Sequence, residues 1–227
     1  MKKSTLLLKD IHLKPSQIHK FRGFIGNLFR DYDLLHNHDP ITGKLIYRYP
    51  LIQFKLINGI PAIIAITDKA VELFSLLFLK VNEVVIEDLK IPVFEKDLHI
   101  ENVDFGYVNE TFMYEFISPW MALNQKNFCR YSKSNSKAKK KQILRQTLIG
   151  NILSMSKYLG CWLEKDQKIH IEIRVQEKTV NLKGKNMIGF IGIFKTNFMI
   201  PDDLGIGKSV SSGFWAVRRV EKQKEDF

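Results

Sequence analysis

The sequence predicts an α+β protein of two tandem ferredoxin-like (βαββαβ) domains, the second of them degenerate. In the first 93 residues, segments of alternating and of helical apolar spacing follow one another in the order βαββαβ. Asn58-Gly59, a strong hairpin signal, separates the second and third of these strands. The second half repeats this order, with a glycine-bearing loop in place of the last helix. We therefore place the domains at 1–93 and 94–227.

The N-terminal elements follow from local signals. Pro15 suits the first position of a helix, and apolar residues recur at helical spacing as far as Phe29. Asp68 can cap a second helix, in which Phe74 belongs to the apolar face. The predicted elements are the strand Ser4–Leu13, a helix from Pro15, the hairpin of Lys44–Ile57 and Ile60–Ile66, the helix Lys69–Lys80 and the strand Val84–Ile91.

The C-terminal half contains one long helix. Ser134 or Ser136 can cap it, a buried stripe runs from Leu144 to Leu159, and Gly160 supplies the stop. The predicted strands are Glu110–Ile117, Lys168–Lys178, Asn186–Phe198 and Phe214–Val220.

The composition indicates a globular protein with a basic bias. The 227 residues carry a net charge of +11, and 45% of them are hydrophobic. The longest apolar stretches, such as Ile60–Ile66, run to about seven residues, against the roughly 20 of a membrane helix. The start of the chain lacks the apolar region of a signal peptide. Two cysteines give neither a disulfide framework nor a CxxC metal pair. We expect a soluble protein of the reducing cytoplasm.

The positive charge is concentrated in one stretch. No Asp or Glu occurs between Glu115 and Glu164, where nine basic residues account for +9 of the net charge. Such a block is typical of phosphate binding, with a solvated lysine-rich surface as the alternative. Lysines in the first turns of the predicted helix oppose its dipole, which favours an anionic ligand. The residues that we expect to contact the ligand are Arg130, Lys133, Lys137, Lys139, Lys140, Lys141 and Arg145.

A polar stretch after the first helix contains a histidine pair, His36 and His38. In an extended backbone the two side chains point to the same side. Imidazole titrates near neutrality, so such a pair can supply a general base and a general acid without a metal. Two alternatives remain open: a metal site that includes Asp39, and two solvated loop histidines.

A second constellation is the segment from Asp202 to Gly213. Gly205, Gly207 and Gly213 permit close backbone approach to an anion, and Lys208 and Ser209 add donors. The segment does not satisfy the phosphate-binding pattern GxxxxGK[ST], because Asp202 stands where the first glycine would fall. An ordinary Gly/Ser surface loop is the alternative.

The segment Gly205–Phe214 before the last strand resembles the glycine-rich loop of the RAMP superfamily of CRISPR-associated proteins. With the two-domain order and the histidine pair, the chain resembles the repeat-processing endoribonucleases of that superfamily (the Cas6 family), in particular the b-type subgroup. The resemblance implies cleavage of a precursor RNA within each CRISPR repeat by 2′-hydroxyl attack. It implies no cofactor and no metal.

The resemblance also assigns roles to residues. His36 and His38 would be base and acid, in an order left open. Lys44 or Arg30 would supply the cation, and Tyr47 would orient the 2′-hydroxyl or donate to the phosphate. The basic helix and the glycine loop (Gly205, Gly207, Lys208, Ser209 and Gly213) would bind the repeat RNA. The expected partners are precursor and mature guide RNA, effector-complex subunits and a second copy of the chain.

Two rival functions also fit parts of the sequence. A non-catalytic RAMP-type subunit would share the fold and bind guide RNA without cleaving it. The tripeptide His36-Asn37-His38 has the same three letters as the HNH-like metal nucleases. The motif of those nucleases spreads its residues over a ββα unit, so the likeness is coincidental.

Overall fold

The computed structural model describes residues 1–30, 32, 49–78, 80–182, 185–207, 210–211, 213 and 216–221. The chain divides into two compact units, which we describe separately. The N-terminal unit comprises the described residues of 1–103 and 209–213, and the C-terminal unit those of 104–208 and 214–227. None of the described helices is both long and apolar enough to cross a membrane.

The N-terminal unit has ferredoxin-like topology. Its elements are β1 (Lys2–Leu8), α1 (Ile18–Leu28), β2 (Ile52–Ile57), β3 (Ile60–Ile66), α2 (Asp68–Phe78), β4 (Glu83–Ile86), β5 (Leu89–Pro92) and β6 (Lys96–Asn102). The antiparallel sheet has the order β2-β3-β1-β6, which matches the predicted plan. Phe21 of α1 meets Phe54 of β2 edge to face, with ring centroids 5.8 Å apart, in the centre of the core.

The hairpin between β2 and β3 forms where the sequence predicts it. Asn58 and Gly59 have φ values of 53° and 82°, the left-handed pair of a type I′ turn. Strand β3 shows no alternation of buried and exposed residues, because every residue from Pro61 to Ile66 is buried. Of the predicted strand Lys44–Ile57, only the part from Ile52 is a strand among the described residues, and 44–48 lie outside them.

One predicted strand is wrong. Val84–Ile91 is not a single strand that closes the sheet but a hairpin of β4 and β5, which turns at Glu87 and Asp88. Both turn residues have positive φ, 53° and 67°, without the glycine that usually signals such a turn. The closing strand is β6, which pairs with β1. The N-terminal unit therefore runs to residue 103, ten residues beyond the boundary that the sequence suggests at 93.

Residues near 210 pack with the N-terminal unit. The buried Lys55 side chain donates a hydrogen bond from Nζ to the Val210 carbonyl oxygen at 3.2 Å. Gly213 lies directly against Ile18 at the start of α1. These contacts explain why a short segment from far along the chain belongs to this unit.

The C-terminal unit has the same topology in reduced form. Its elements are β7 (Gly106–Phe116), α3 (Gln125–Ser132), α4 (Lys137–Tyr158), β8 (Ile171–Leu182), β9 (Lys185–Met199) and β10 (Val217–Arg219). The sheet order is β10-β7-β9-β8, so β8 is an edge strand. No helix occurs among the described residues between β9 and β10, as the sequence predicts for a degenerate domain. The tandem ferredoxin-like fold is confirmed.

Helix α4 confirms the predicted long helix. The Ser136 side chain caps it by accepting from the Lys139 N–H at 3.3 Å, and Gly160 follows it with φ of 77°. Leu144, Leu148 and Ile152 are buried, as the stripe predicts. The preceding short helix α3 was not predicted from the sequence, because it is polar and only eight residues long. Asn124 caps it by accepting from the Asn127 N–H at 2.8 Å.

Candidate nucleic-acid interface

The basic stretch of the sequence lies mainly on two helices of the C-terminal unit. Arg130 lies in the last turn of α3 and Lys133 at its end. The remaining five candidates, Lys137, Lys139, Lys140, Lys141 and Arg145, lie in the first nine residues of α4. No acidic residue occurs in the first turn of this helix, so the lysines oppose its dipole as the sequence indicates. All seven side chains are exposed except Lys140, which is half-buried.

Four of the seven candidates line a groove between α4 and the edge strand β8, which we call the α4–β8 groove. Its central part has a volume of about 550 Å³, with Lys141 and Arg145 on one side and residues 171–174 of β8 on the other. A second part of about 470 Å³ continues along Lys137 and Lys140. A third part of about 190 Å³ extends from Arg145 over the sheet. Arg130, Lys133 and Lys139 do not line the groove.

Strands β8 and β9, with the residue before β8, add two cations and a histidine that sequence reasoning missed. Arg174 lines the central part of the groove, and His170 and Lys195 line the small part over the sheet. Arg174 alternates along β8 with the buried Ile171 and Ile173, a pattern that signals an exposed face of a strand. All three missed residues lie outside the acid-free stretch, so only the pairing of β8 with β9 and the packing of α4 bring them to the same groove.

At one end of the groove, Tyr131, Lys140 and Glu177 form a fixed cluster. The Tyr131 hydroxyl donates to Glu177 Oε1 at 2.7 Å, and Lys140 Nζ lies 3.9 Å from the same oxygen. Lys140 Nζ also lies 4.7 Å from the centroid of the Tyr131 ring. Desolvation, then the bond to Glu177, raises the pKa of Tyr131, so its hydroxyl keeps the proton. Glu177 is therefore held by contacts within the protein, and its carboxylate partly neutralises the charge of Lys140.

The other cations on α4 are available to a ligand. No carboxylate among the described residues lies within ion-pair distance of Lys137, Lys141 or Arg145. Positive side chains that line one open groove attract a polyanion, and each phosphate that they neutralise releases counterions.

The described glycines of the candidate loop have packing roles. At Gly207, with φ of 110°, a Cβ would lie 3.2 Å from both Trp120 Nε1 and Asn151 Nδ2. At Gly213, with φ of 91°, a Cβ would lie 2.5 Å from Ile18 Cγ1. Gly205 forms an isolated bridge with Ala216. Lys208 and Ser209 lie outside the described residues. Close packing explains Gly207 and Gly213, and RNA contact by this loop stays a prediction.

Comparison with known proteins decides the family. Residues 1–104 match the family model of the Cas6b N-terminal domain, and residues 106–220 match that of the Cas6b C-terminal domain. The chain belongs to the Cas6b family. A crystal structure of Cas6b is 35% identical with a TM-score of 0.90, over 96% of this chain and 99% of that chain.

Other comparisons extend the Cas6b likeness. A crystal structure of the CRISPR RNA processing endoribonuclease Cas6b is 33% identical with a TM-score of 0.78, over 97% of this chain and all of that chain. An uncharacterized protein of Methanocaldococcus jannaschii is 45% identical over 119 residues, which are 52% of this chain and 80% of that protein. A type IV Cas6 CRISPR RNA endonuclease is 12% identical with a TM-score of 0.61, which shows a common fold.

The candidate catalytic residues of this Cas6b chain fall mostly outside the described part. His36, His38, Lys44 and Tyr47 all lie between 33 and 48, so their roles stay predictions. Arg30 is described: it is exposed in the turn after α1. The next described residue after 48 is Tyr49, which is buried and accepts a hydrogen bond from Gln53 Nε2 at 2.9 Å. Burial raises the pKa of Tyr49, so this hydroxyl is not a source of phenolate.

Proposed function

We propose that the chain is a metal-independent endoribonuclease that cleaves CRISPR precursor RNA within each repeat to produce guide RNAs. The observation that carries this proposal is the match of both halves, in order, to the two Cas6b domains. A solved relative that is 33% identical over 97% of this chain is named as a CRISPR RNA processing endoribonuclease. The cationic α4–β8 groove provides a surface for the phosphates of such a substrate.

The proposed reaction is an internal transesterification. The 2′-oxygen upstream of the scissile phosphate loses its proton to a base and bonds to phosphorus. The bond from phosphorus to the 5′-oxygen breaks, and that oxygen takes a proton from an acid. The products are a 2′,3′-cyclic phosphate and a free 5′-hydroxyl.

His36 and His38 are the proposed acid and base, because imidazole exchanges protons near neutral pH. Lys44 or Arg30 stabilises the extra negative charge of the phosphorane. Tyr47 orients the 2′-hydroxyl or donates to a phosphate oxygen. Cleavage is expected to persist in excess EDTA, and loss of activity that a divalent ion restores would favour the metal alternative built on His36, His38 and Asp39.

We assign the binding of repeat RNA to the C-terminal unit. Lys137, Lys141 and Arg145 hold the repeat backbone in the groove, and Lys139, Lys140, Arg130 and Lys133 add long-range attraction. The glycine loop, with Gly205, Gly207, Lys208, Ser209 and Gly213, holds the chain on the 3′ side of the cut. Mature guide RNA, effector-complex subunits and a second copy are the proposed partners, and the cytoplasm the proposed location.

Labelled repeat RNA tests the proposal. The parent protein should cut it once per repeat and leave a cyclic phosphate, which acid opens to a mixture of 2′- and 3′-phosphates. A matched RNA with 2′-deoxyribose at the cut should bind with similar affinity and remain intact, because the nucleophile is missing. Cutting of the deoxy substrate would refute the 2′-hydroxyl mechanism. Binding of both RNAs without any cleavage would favour the non-catalytic RAMP subunit.

A further inference from the structure

The α4–β8 groove contains one carboxylate that makes no hydrogen bond or ion pair with any residue that the structure describes. Glu172 lies on β8, is exposed, and lines both the central part of the groove and the part over the sheet. It stands opposite Lys195 in the β8–β9 ladder. No hydrogen bond or ion pair joins its carboxylate to any residue that the structure describes.

The second carboxylate of the groove is different. Glu177 accepts a hydrogen bond from the Tyr131 hydroxyl at 2.7 Å and lies 3.9 Å from Lys140 Nζ. Its position is explained by contacts within the protein. Glu172, five residues earlier on the same strand, faces the opposite charge of Lys195 across the ladder, but its carboxylate accepts no hydrogen bond from any residue that the structure describes.

An unpaired carboxylate weakens a surface that binds only phosphates, because it repels them at close range. A carboxylate is an acceptor only, so its natural partner in a nucleic acid is an N–H group of a base. The groove can admit a base. Its central volume of about 550 Å³ lies within the range of ligand pockets, and the buried Ile171 and Ile173 contribute apolar surface to its lining.

We propose that Glu172 recognises a guanine base of the RNA in the α4–β8 groove. Guanine presents two adjacent N–H donors, N1–H and N2–H, on its Watson–Crick edge, which match the two oxygens of one carboxylate. Uracil presents one donor between two acceptors, and adenine and cytosine each place an acceptor beside the amino group. Unpaired RNA bases are commonly read on this edge. The inference rests on the proposed function, since it names the base that the same surface selects.

Binding of short RNAs tests the inference. The probes are fluorescein-labelled RNAs of four GUU triplets, four AUU triplets and four IUU triplets, in which inosine lacks the N2 amino group. The parent protein should bind the GUU probe about 5- to 150-fold more tightly than the AUU probe, the usual worth of a bidentate base contact. The IUU probe should fall between them. Glu172→Gln cannot accept from both donors, so its preference for GUU over AUU should disappear.

Glu177→Gln is the matched control. It removes the same charge from the same groove but should keep the preference for GUU, while Glu172→Gln should bind AUU as well as or slightly better than the parent. Thermal unfolding checks that both variants fold. A preference for GUU that survives in Glu172→Gln, or is absent from the parent, overturns the inference and leaves the proposed function intact if repeat RNA is still bound and cut. Failure of the parent to bind any RNA overturns both.

Discussion

The two units use the same topology but treat their cationic side chains differently. In the N-terminal unit, lysines of β1, of the turn after β1 and of α1 lie close to carboxylates. Lys3 Nζ is 3.0 Å from Glu101, Lys9 Nζ is 3.0 Å from Asp97, and Lys20 pairs with Glu87. In the C-terminal unit, Lys137, Lys141 and Arg145 line the α4–β8 groove, and no described carboxylate lies within ion-pair distance of any of these three side chains.

We interpret this difference as one between cations that stabilise the fold and cations that bind a ligand. Like charges one turn apart on a helix destabilise it by a few tenths of a kcal/mol per pair, and cations at its N-terminus add a similar cost. Lys137 and Lys141 stand four residues apart in the first turns of α4, so they carry both costs. We infer that the paired cations of the N-terminal unit act mainly on stability, and that Lys137, Lys141 and Arg145 act mainly on binding.

The largest expected effect separates the rate of RNA cleavage from the affinity for RNA. His36→Ala and His38→Ala should each slow cleavage of repeat RNA by roughly 10²–10⁴, the worth of one general acid or base. Each should leave the RNA affinity within a few-fold, because the proposed phosphate contacts lie on α4. Single-turnover cleavage and equilibrium binding measure the two quantities separately. The parent pH–rate profile should be bell-shaped, and its limbs should describe the pair, since two nearby imidazoles titrate together.

His99→Ala is the control for this experiment. His99 lies on β6 with a side chain that is 70% exposed, far in sequence from the proposed site, and its variant should cut at the parental rate. If His36→Ala and His38→Ala also cut at that rate, the two histidines are loop residues.

The second expected effect concerns the open cations. Replacing both Lys141 and Arg145 by Ala should weaken RNA binding and reduce the log–log salt slope by about 0.7–0.9 for each lost phosphate contact. Lys139→Ala should reduce the slope by less than the double variant, because Lys139 is exposed on the same helix but does not line the groove and adds only long-range attraction. Titrations at several salt concentrations give the slope. An unchanged slope in the double variant would mean that the groove charges are only solvated.

Local signals explain which parts of this structure could be predicted. The β2–β3 hairpin depends on Asn58-Gly59, and α4 depends on its own cap, stripe and stop, so each is visible in a short window of sequence. The β4–β5 hairpin turns on Glu87 and Asp88, a pair that lacks the glycine of a strong hairpin signal. A short window therefore reads this hairpin as one continuous strand.

The candidate site likewise has one part that the sequence predicts and another part that it does not. The lysines of α4 stand out in the sequence because they form a block without acids. Arg174 and Lys195 reach the same surface only through the pairing of β8 with β9, which no local pattern reveals. Glu172 also belongs to the groove only through this long-range arrangement. The distribution of charge along the sequence therefore predicts the cations on the α4 side of the groove but not the charged residues on the side of the sheet.

The third expected effect separates packing from RNA contact at the glycine loop. Gly213→Ala should lower the free energy of unfolding by about 1–3 kcal/mol, because φ is 91° and the new Cβ would lie 2.5 Å from Ile18 Cγ1. Gly23→Ala is the control: a Cβ there meets nothing within 4 Å on helix α1, so it should stabilise by about 0.5–1 kcal/mol. Denaturant unfolding measures both. A Gly213→Ala variant of parental stability with impaired RNA binding would assign Gly213 to the ligand instead.

The smallest expected effect tests the paired cations of the N-terminal unit. The Lys3 side chain is only 6% exposed, and its Nζ donates to Glu101 Oε1 at 3.0 Å. Glu101→Gln would leave this ammonium with a weaker, uncharged acceptor, so we expect a loss of about 1–2 kcal/mol in unfolding free energy. The effect stays modest because Glu101 itself is 37% exposed and water can replace part of the interaction. The salt slope of RNA binding should not change. A steeper slope with unchanged stability would mean that the ammonium of Lys3, once freed from Glu101, contacts RNA, and the assignment of the paired N-terminal cations to stability alone would fail.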